Sequence, residues 1–268
     1  MKKHLLILAA LLSVLFMLSS CVGEPPIYTE GLVFALSDDE TFYCVTDYTG
    51  NETEVVIPAT YEGKPVMRIG YLAFQNCKSL TNVTISDSVT SIGSYAFAGC
   101  SSLTGIVIPD SVTSIGEETF SECASLMSIE IPDSVTSIGN DAFRGCTCLT
   151  SIEIPGSVTS IGEKAFSKCT SLISIVIPYG VKSIGRYAFS DCTSLTSVTI
   201  GNTVTSIGEE AFYKCKSLTS VTFVNTGGWW VTQSPSATSA TVVTVTNPTR
   251  NAEYLRSTYD NYYWKRTE

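Results

Sequence analysis

The chain has 268 residues, 44% of them hydrophobic, with ten cysteines and a formal net charge of −9. That acidic balance argues against nucleic acid and anionic membrane surfaces as partners, because both repel a negative protein. The only histidine, His4, lies in a segment expected to be removed. A chain without it has no Ser-His-Asp or Cys-His chemistry and no His-ligated metal site, so no catalytic residue, metal or cofactor is expected.

The first predicted element is a secretory signal. Lys2 and Lys3 precede an apolar run from Leu5 to Leu18, and small residues then lead to Cys21. This is charged n-region, short h-region and small-residue exit. Fourteen apolar residues fall short of the roughly 20 a spanning helix needs. The tail Leu18-Ser19-Ser20-Cys21 resembles a bacterial lipobox, which implies cleavage before Cys21 and acylation of its thiol and amine. Residues 1–20 then form a lipoprotein signal peptide and 21–30 a lipidated tether. The expected location is the outside of the bacterial cell envelope, with the membrane contacted through the lipid. Loss of Lys2 and Lys3 leaves 14 basic against 25 acidic residues, a net −11.

Residues 31–54 read as an N-terminal cap with a β-hairpin turning near Ser37–Glu40. Val55-Val56-Ile57-Pro58 then imitates the strand and proline of the units that follow. Twelve residues separate Ile57 from Ile69, against seven between Ile85 and Ile92. The first unit therefore carries a five-residue insertion around Tyr61-Glu62-Gly63-Lys64-Pro65.

From 55 to 226 the chain repeats every 23 residues, in about seven units. Ile-Gly recurs at 69, 92, 115, 138, 161, 184 and 207, followed in register by a phenylalanine column (Phe74 to Phe212), a cysteine column (Cys77 to Cys215) and a leucine column (Leu80 to Leu218). A fixed register of this kind is the signature of a solenoid, whose units bury their apolar faces only by stacking. Leu126-x-x-Ile129-x-Ile131 fits the pattern L-x-x-L-x-L, and the alternation at 129 to 131 predicts a short strand. Pro132 stops it. Val135-Thr136-Ser137-Ile138 predicts a second extended piece, Gly139 a turn, and Asn140 to Cys146 about two helical turns with Phe143 and Cys146 facing the core. The fold class expected is an α/β solenoid: a right-handed stack of parallel strands and short helices, capped at both ends.

Seven cysteines at one repeat position point to a small buried residue. A ladder of free thiols is expected, with rung-to-rung disulfides as the alternative; Cys44 and Cys148 lie off the column. Asp110 and Asp133 sit in turns after proline, and Glu117, Glu163 and Glu209 begin the expected helices. Glu130 and Glu153 differ, because they are expected on the outward face of neighbouring strands, one carboxylate over the other. The outward face as a whole, Asn82, Thr84, Val107, Glu130, Glu153, Val176, Thr199 and Thr222, is the candidate binding face.

Register fails at Gly227, and 227–268 read as a C-terminal cap. It contains a predicted strand at Thr241–Thr246 and a helix begun by Asn247 as N-cap and Pro248 at N1. Trp229 and Trp230 are a candidate aromatic site for stacking sugars, although aromatic residues closing the end of the solenoid are the favoured reading.

The columns "SVTSIG…AF…C.SLTSV.IP", over residues 55 to 224, resemble the BspA-type leucine-rich repeats of bacterial surface proteins. The chain departs from ordinary leucine-rich repeats where Ser88, Ser111, Ser134, Ser157, Gly180 and Thr203 replace the usual Asn or Cys, and those hydroxyls are expected to bond the backbone of the turn. A monomer without enzymatic activity is expected, and the resemblance implies a lipid-anchored surface protein. It would mediate protein–protein interaction or adhesion to host matrix, epithelium or other bacteria. A carbohydrate-binding module and a passive spacer are the alternatives.

Overall fold

A computed structural model describes residues 28–234 and 240–267. The expected signal and Cys21 lie outside the described residues.

About eight rungs recur at 23-residue spacing, against about seven expected, the insertion-bearing Glu54–Ile69 stretch among them. Each rung offers two extended pieces. The first ladder comprises Glu54–Ile57, Asn82–Ile85 and Gly105–Ile106 in one sheet, and Ser174–Ile177, Ser197–Ile200 and Ser220–Phe223 in another. All pair parallel and in register, Val176 beside Thr199 beside Thr222. The second ladder is built from the Ser-Ile pairs, among them Ser137–Ile138, Ser160–Ile161, Ser183–Ile184 and Ser206–Ile207. Alternation drives both, with every second side chain entering the core: Asn82 and Thr84 are exposed while Val83 and Ile85 are buried.

Two expectations about the repeat need correction. The segment from Asn140 to Cys146 is a chain of tight turns, and no repeat contains a helix. The residues two and six places after each repeat glycine take left-handed backbone, Asp141 at φ 52° and Gly145 at φ 74° in this unit, and likewise Lys164 and Lys168 in the next. A left-handed residue cannot continue a right-handed helix. The turns instead point alternate N–H groups at the next rung and make a third ladder. Phe120 N–H donates to Ala142 O at 2.8 Å, and Phe143 N–H to Ala165 O at 2.8 Å. The second correction concerns the strand expected at 129 to 131. Neither this segment nor 151–154 is a strand, and one isolated bridge, Val107 to Glu130, is what remains of the first ladder there.

The repeat glycine is required by proximity. A Cβ on Gly139, Gly162 or Gly185 would lie 2.5–2.6 Å from the carbonyl carbon of the preceding rung's glycine. The phenylalanines stack face on face, ring centroids 5.1–5.6 Å apart from Phe74 to Phe212, and every one is fully buried. The cysteines among the described residues are free. Beyond filling space they act as donors: the Cys146 thiol reaches Phe120 O at 3.2 Å, and the same bond recurs from Cys100 to Cys215. Burial pushes the Cys123 and Cys169 thiols up to about 12 and raises Cys100 and Cys146 as well. The hydroxyl column bonds as expected, Ser134 Oγ to Val112 O at 2.6 Å and Ser157 Oγ to Val135 O at 2.7 Å.

Each end of the stack is closed differently. At the N-terminal end a hairpin of Leu32–Leu36 and Tyr43–Tyr48 lays its second strand parallel to Lys64–Ile69. The insertion is a second hairpin, with Glu62 and Gly63 both at positive φ, the turn chemistry that matches strand twist. At the C-terminal end Tyr263–Arg266, which had no signal in the sequence, pairs antiparallel with Ser206–Ile207. Asn247 Oδ1 accepts from Arg250 N–H at 3.0 Å and starts the helix Pro248–Glu253. The strand expected at Thr241–Thr246 covers Thr241–Val242 only; beyond it Val243 and Val245 turn into the core, and Val245 O accepts from Asn251. Asn251 Nδ2 and Arg256 also donate to Val221 O and Leu218 O at 2.9 Å each. Side chains thus satisfy carbonyls that a further rung would otherwise have met.

Candidate functional site

The outward face of the first ladder carries every predicted binding-face residue, and the register shows which of them meet. Val176, Thr199 and Thr222 form one column, and Val107 stands beside Glu130 across the isolated bridge. Thr84 belongs to the same column one rung before Val107, whereas Asn82 lies two residues to its side, beside Gly105. All are exposed except the half-buried Thr199. The column holds valine at 56, 107 and 176, glutamate at 130 and 153, and threonine at 84, 199 and 222. Four consecutive rungs between Thr84 and Thr199 carry Val107, Glu130, Glu153 and Val176, with Val107 71% and Val176 61% exposed.

Here the ladder opens. Among the described residues no backbone hydrogen bond joins residues 126–131 to 149–154, and a single one, Ile173 N–H to Thr150 O at 3.2 Å, joins 149–154 to the next rung. Stacking two glutamates in register places like charges directly opposite, which weakens a strand pair. Glu130 and Glu153 are the column's only charged members among these rungs, and they occupy the two rungs that lose strand structure. The core behind stays closed: Phe120–Phe143 and Phe143–Phe166 remain stacked at 5.5 and 5.3 Å.

The opening is a cleft of about 1150 Å³ lined by Glu130, Glu153, Asp110, Asp133, Val176 and Tyr179, with Pro132, Pro155 and Pro178 along its walls. Reading the sequence missed Tyr179. It stands where earlier rungs have Asp110, Asp133 and Gly156, and its phenol lies so close over Gly156 that a Cβ there would meet the Tyr179 oxygen at 2.8 Å. The break from the column was the available signal.

The aromatic candidates lie elsewhere. Trp229 is buried against Phe223 and Trp264, its indole N–H donating to Asn225 O at 3.0 Å, while Trp230 is half-buried. The Trp229 ring is therefore part of the core closure and is not open for stacking on a sugar.

A stack of 23-residue rungs with a leucine, phenylalanine and cysteine column and one variable outward face is a leucine-rich-repeat solenoid. More narrowly, the BspA type leucine rich repeat region, in six copies, matches residues 47–172 and 113–227, and the chain belongs to that family. It is similar to the leucine-rich repeat protein of T. pallidum, with 33% identity over 73% of this chain and 90% of that one and a TM-score of 0.66. A leucine-rich repeat protein from Bacteroides ovatus matches at 26% identity, over 75% of this chain and 72% of that one, with a TM-score of 0.49. No curated protein matches the chain.

Proposed function

We propose that the protein is held at the bacterial cell surface by a lipid on Cys21 and acts by protein–protein interaction, attaching the cell to host matrix, epithelium or other bacteria. The observation that carries this reading is the outward column, where four consecutive rungs carry Val107, Glu130, Glu153 and Val176, exposed residues that no packing requirement demands. A solenoid that served only as a spacer has no use for an exposed valine, two stacked glutamates and a second exposed valine. Family membership supports the same class of activity, and the first-ladder face is the broad surface that stacked rungs present.

The test immobilises the protein from residue 21 onward and passes purified extracellular-matrix proteins and bacterial surface preparations over it. Saturable binding at micromolar concentration, displaced by free protein, is expected; no binding of any of them removes the reading in favour of a spacer. Labelled palmitate should enter the wild-type chain in cells and not the Cys21→Ser variant, and equal labelling would remove the anchor.

A further inference from the structure

We propose, building on that interaction reading, that the opened section of the first ladder is a docking site for an extended basic segment of a partner protein. The segment would lie along the cleft between Glu130 and Glu153 and pair with the backbone that the solenoid leaves unpaired there.

Three observations converge. The first is backbone. Towards either end of this face the rungs pair strand to strand, as from Glu54–Ile57 to Asn82–Ile85 and from Ser174–Ile177 to Ser220–Phe223. Among the described residues, 128–131 and 151–154 share no such bonds. Backbone groups left without a ladder partner at a surface are free to pair with another extended chain. The second is charge. Asp110, Glu130, Asp133 and Glu153 line the cleft, no lysine or arginine does, and none of the four appears among the ion pairs of the described residues. Their complement is a cation. The third is the kind of cation. No three His, Cys, Asp or Glu among the described residues are gathered as a metal ion requires. The carboxylates are spread along a cleft of about 1150 Å³, just above the roughly 300–1,000 Å³ of pockets that take small molecules. Its walls are Ile152, Val176, three prolines and Tyr179, suited to aliphatic side chains and to the stems of Lys and Arg. An extended chain places alternate side chains on one face, so an alternating basic and β-branched sequence fits both features.

The experiment uses the protein from residue 21 onward and a fluorescent octapeptide of alternating Arg and Val, with three comparisons: the Glu–Val counterpart, the Arg–Val peptide N-methylated on alternate amides, and the variant carrying Glu130→Gln and Glu153→Gln. Anisotropy should show saturable binding of the Arg–Val peptide, no binding of the Glu–Val peptide, and weakening with added salt. The double variant, whose folding circular dichroism verifies, should lose about tenfold or more in affinity, and the N-methylated peptide should lose as much. Equal binding to wild type and double variant would overturn the placement in the cleft. Undiminished binding of the N-methylated peptide would overturn the strand pairing. If the double variant still captures the matrix or bacterial proteins that the wild type captures, this inference fails while the interaction reading stands. If neither protein captures any, the interaction reading itself has failed.

Discussion

Thr119 offers the sharpest test of how the stack is held. It interrupts a column that is otherwise alanine, at 73, 96, 142, 165, 188 and 211. It is fully buried and its Oγ1 has no hydrogen-bond partner. The stack is loosest at this rung. Phe97 and Phe120 are 5.6 Å apart, the widest step in the column, and Gly116 alone from Gly93 onward does not rest on the glycine before it: its nearest neighbours are Ser94 Oγ and Thr119 Oγ1 at 3.3 Å. An orphaned buried hydroxyl costs about 1–3 kcal/mol, and the methyl lost with Thr119→Ala returns about 0.8 kcal/mol of burial. The net expectation is a gain of about 1 kcal/mol, or a Tm rise of about 2–4 °C for a protein of this size. Thr119→Val removes the hydroxyl and keeps the volume, so it should gain from desolvation alone. If crowding is what separates the rungs, Ala should gain more than Val, because it also lets Gly116 close on Gly93. Urea unfolding followed by far-ultraviolet circular dichroism, with unchanged m values, measures both. Destabilisation by both variants of 1 kcal/mol or more would refute the reasoning, because the hydroxyl would then be making an interaction that matters.

Phe143→Ala should cost about 3–5 kcal/mol in the same assay, since the ring is fully buried between two stacked neighbours. Lys168→Gly relieves a left-handed residue at φ 61° on an exposed turn and should gain about 0.5 kcal/mol, the side-chain clash removed less the entropy glycine adds. With a thiol reagent at neutral pH the exposed Cys148 should react first and the six buried column cysteines only on unfolding; fast reaction of those six in the folded protein would contradict their burial. Because burial raises the thiols of Cys100, Cys123, Cys146 and Cys169, their contribution to stability is present below the unfolded value of about 8.5 and is lost as pH rises above it towards about 12. Urea midpoints should therefore fall steeply on the alkaline side, and a flat profile from pH 8 to 11 would remove the desolvation argument.

Much of this was legible because each column is a repeated measurement of one environment. Seven copies of Phe and of Leu leave little doubt about what faces inward, and the Asn247-Pro248 start could be read from two residues whose chemistry is local. The helix expected over Asn140 to Cys146 is absent because the spacing of Ala142, Phe143 and Cys146, at i, i+1 and i+4, is equally served by a turn with left-handed residues, and Glu118, Asp141, Lys164 and Tyr187 give no glycine-like warning of positive φ. The cysteines were read as small apolar residues; that they donate to phenylalanine carbonyls 26 residues earlier depends on inter-rung geometry that no single unit encodes. The stacked Glu130 and Glu153 were visible in the sequence. Their consequence, the loss of the strands, depends on how much like-charge contact two marginal segments tolerate.

Three ladders, not one, explain how a rung can tolerate such a loss. Where the first ladder opens at Glu130 and Glu153, the second still pairs Ser137–Ile138 with Ser160–Ile161, and the turn ladder still joins Phe120 to Ala142 and Phe143 to Ala165. The other loosening, near Gly116 and Thr119, falls in the second ladder, where Ile115 keeps one bridge, to Ile138. One rung earlier the first ladder pairs Asn82–Ile85 with Gly105–Ile106, and the turn ladder there is continuous through Phe97 to Thr119. The two defects sit in different ladders and at different rungs. A repeat stack is close to a sum of nearest-neighbour interfaces, so two ladders and a phenylalanine column can hold an interface whose third ladder is open. That redundancy lets substitutions accumulate on the outward face, including charges that unpair it, without dissolving the core behind.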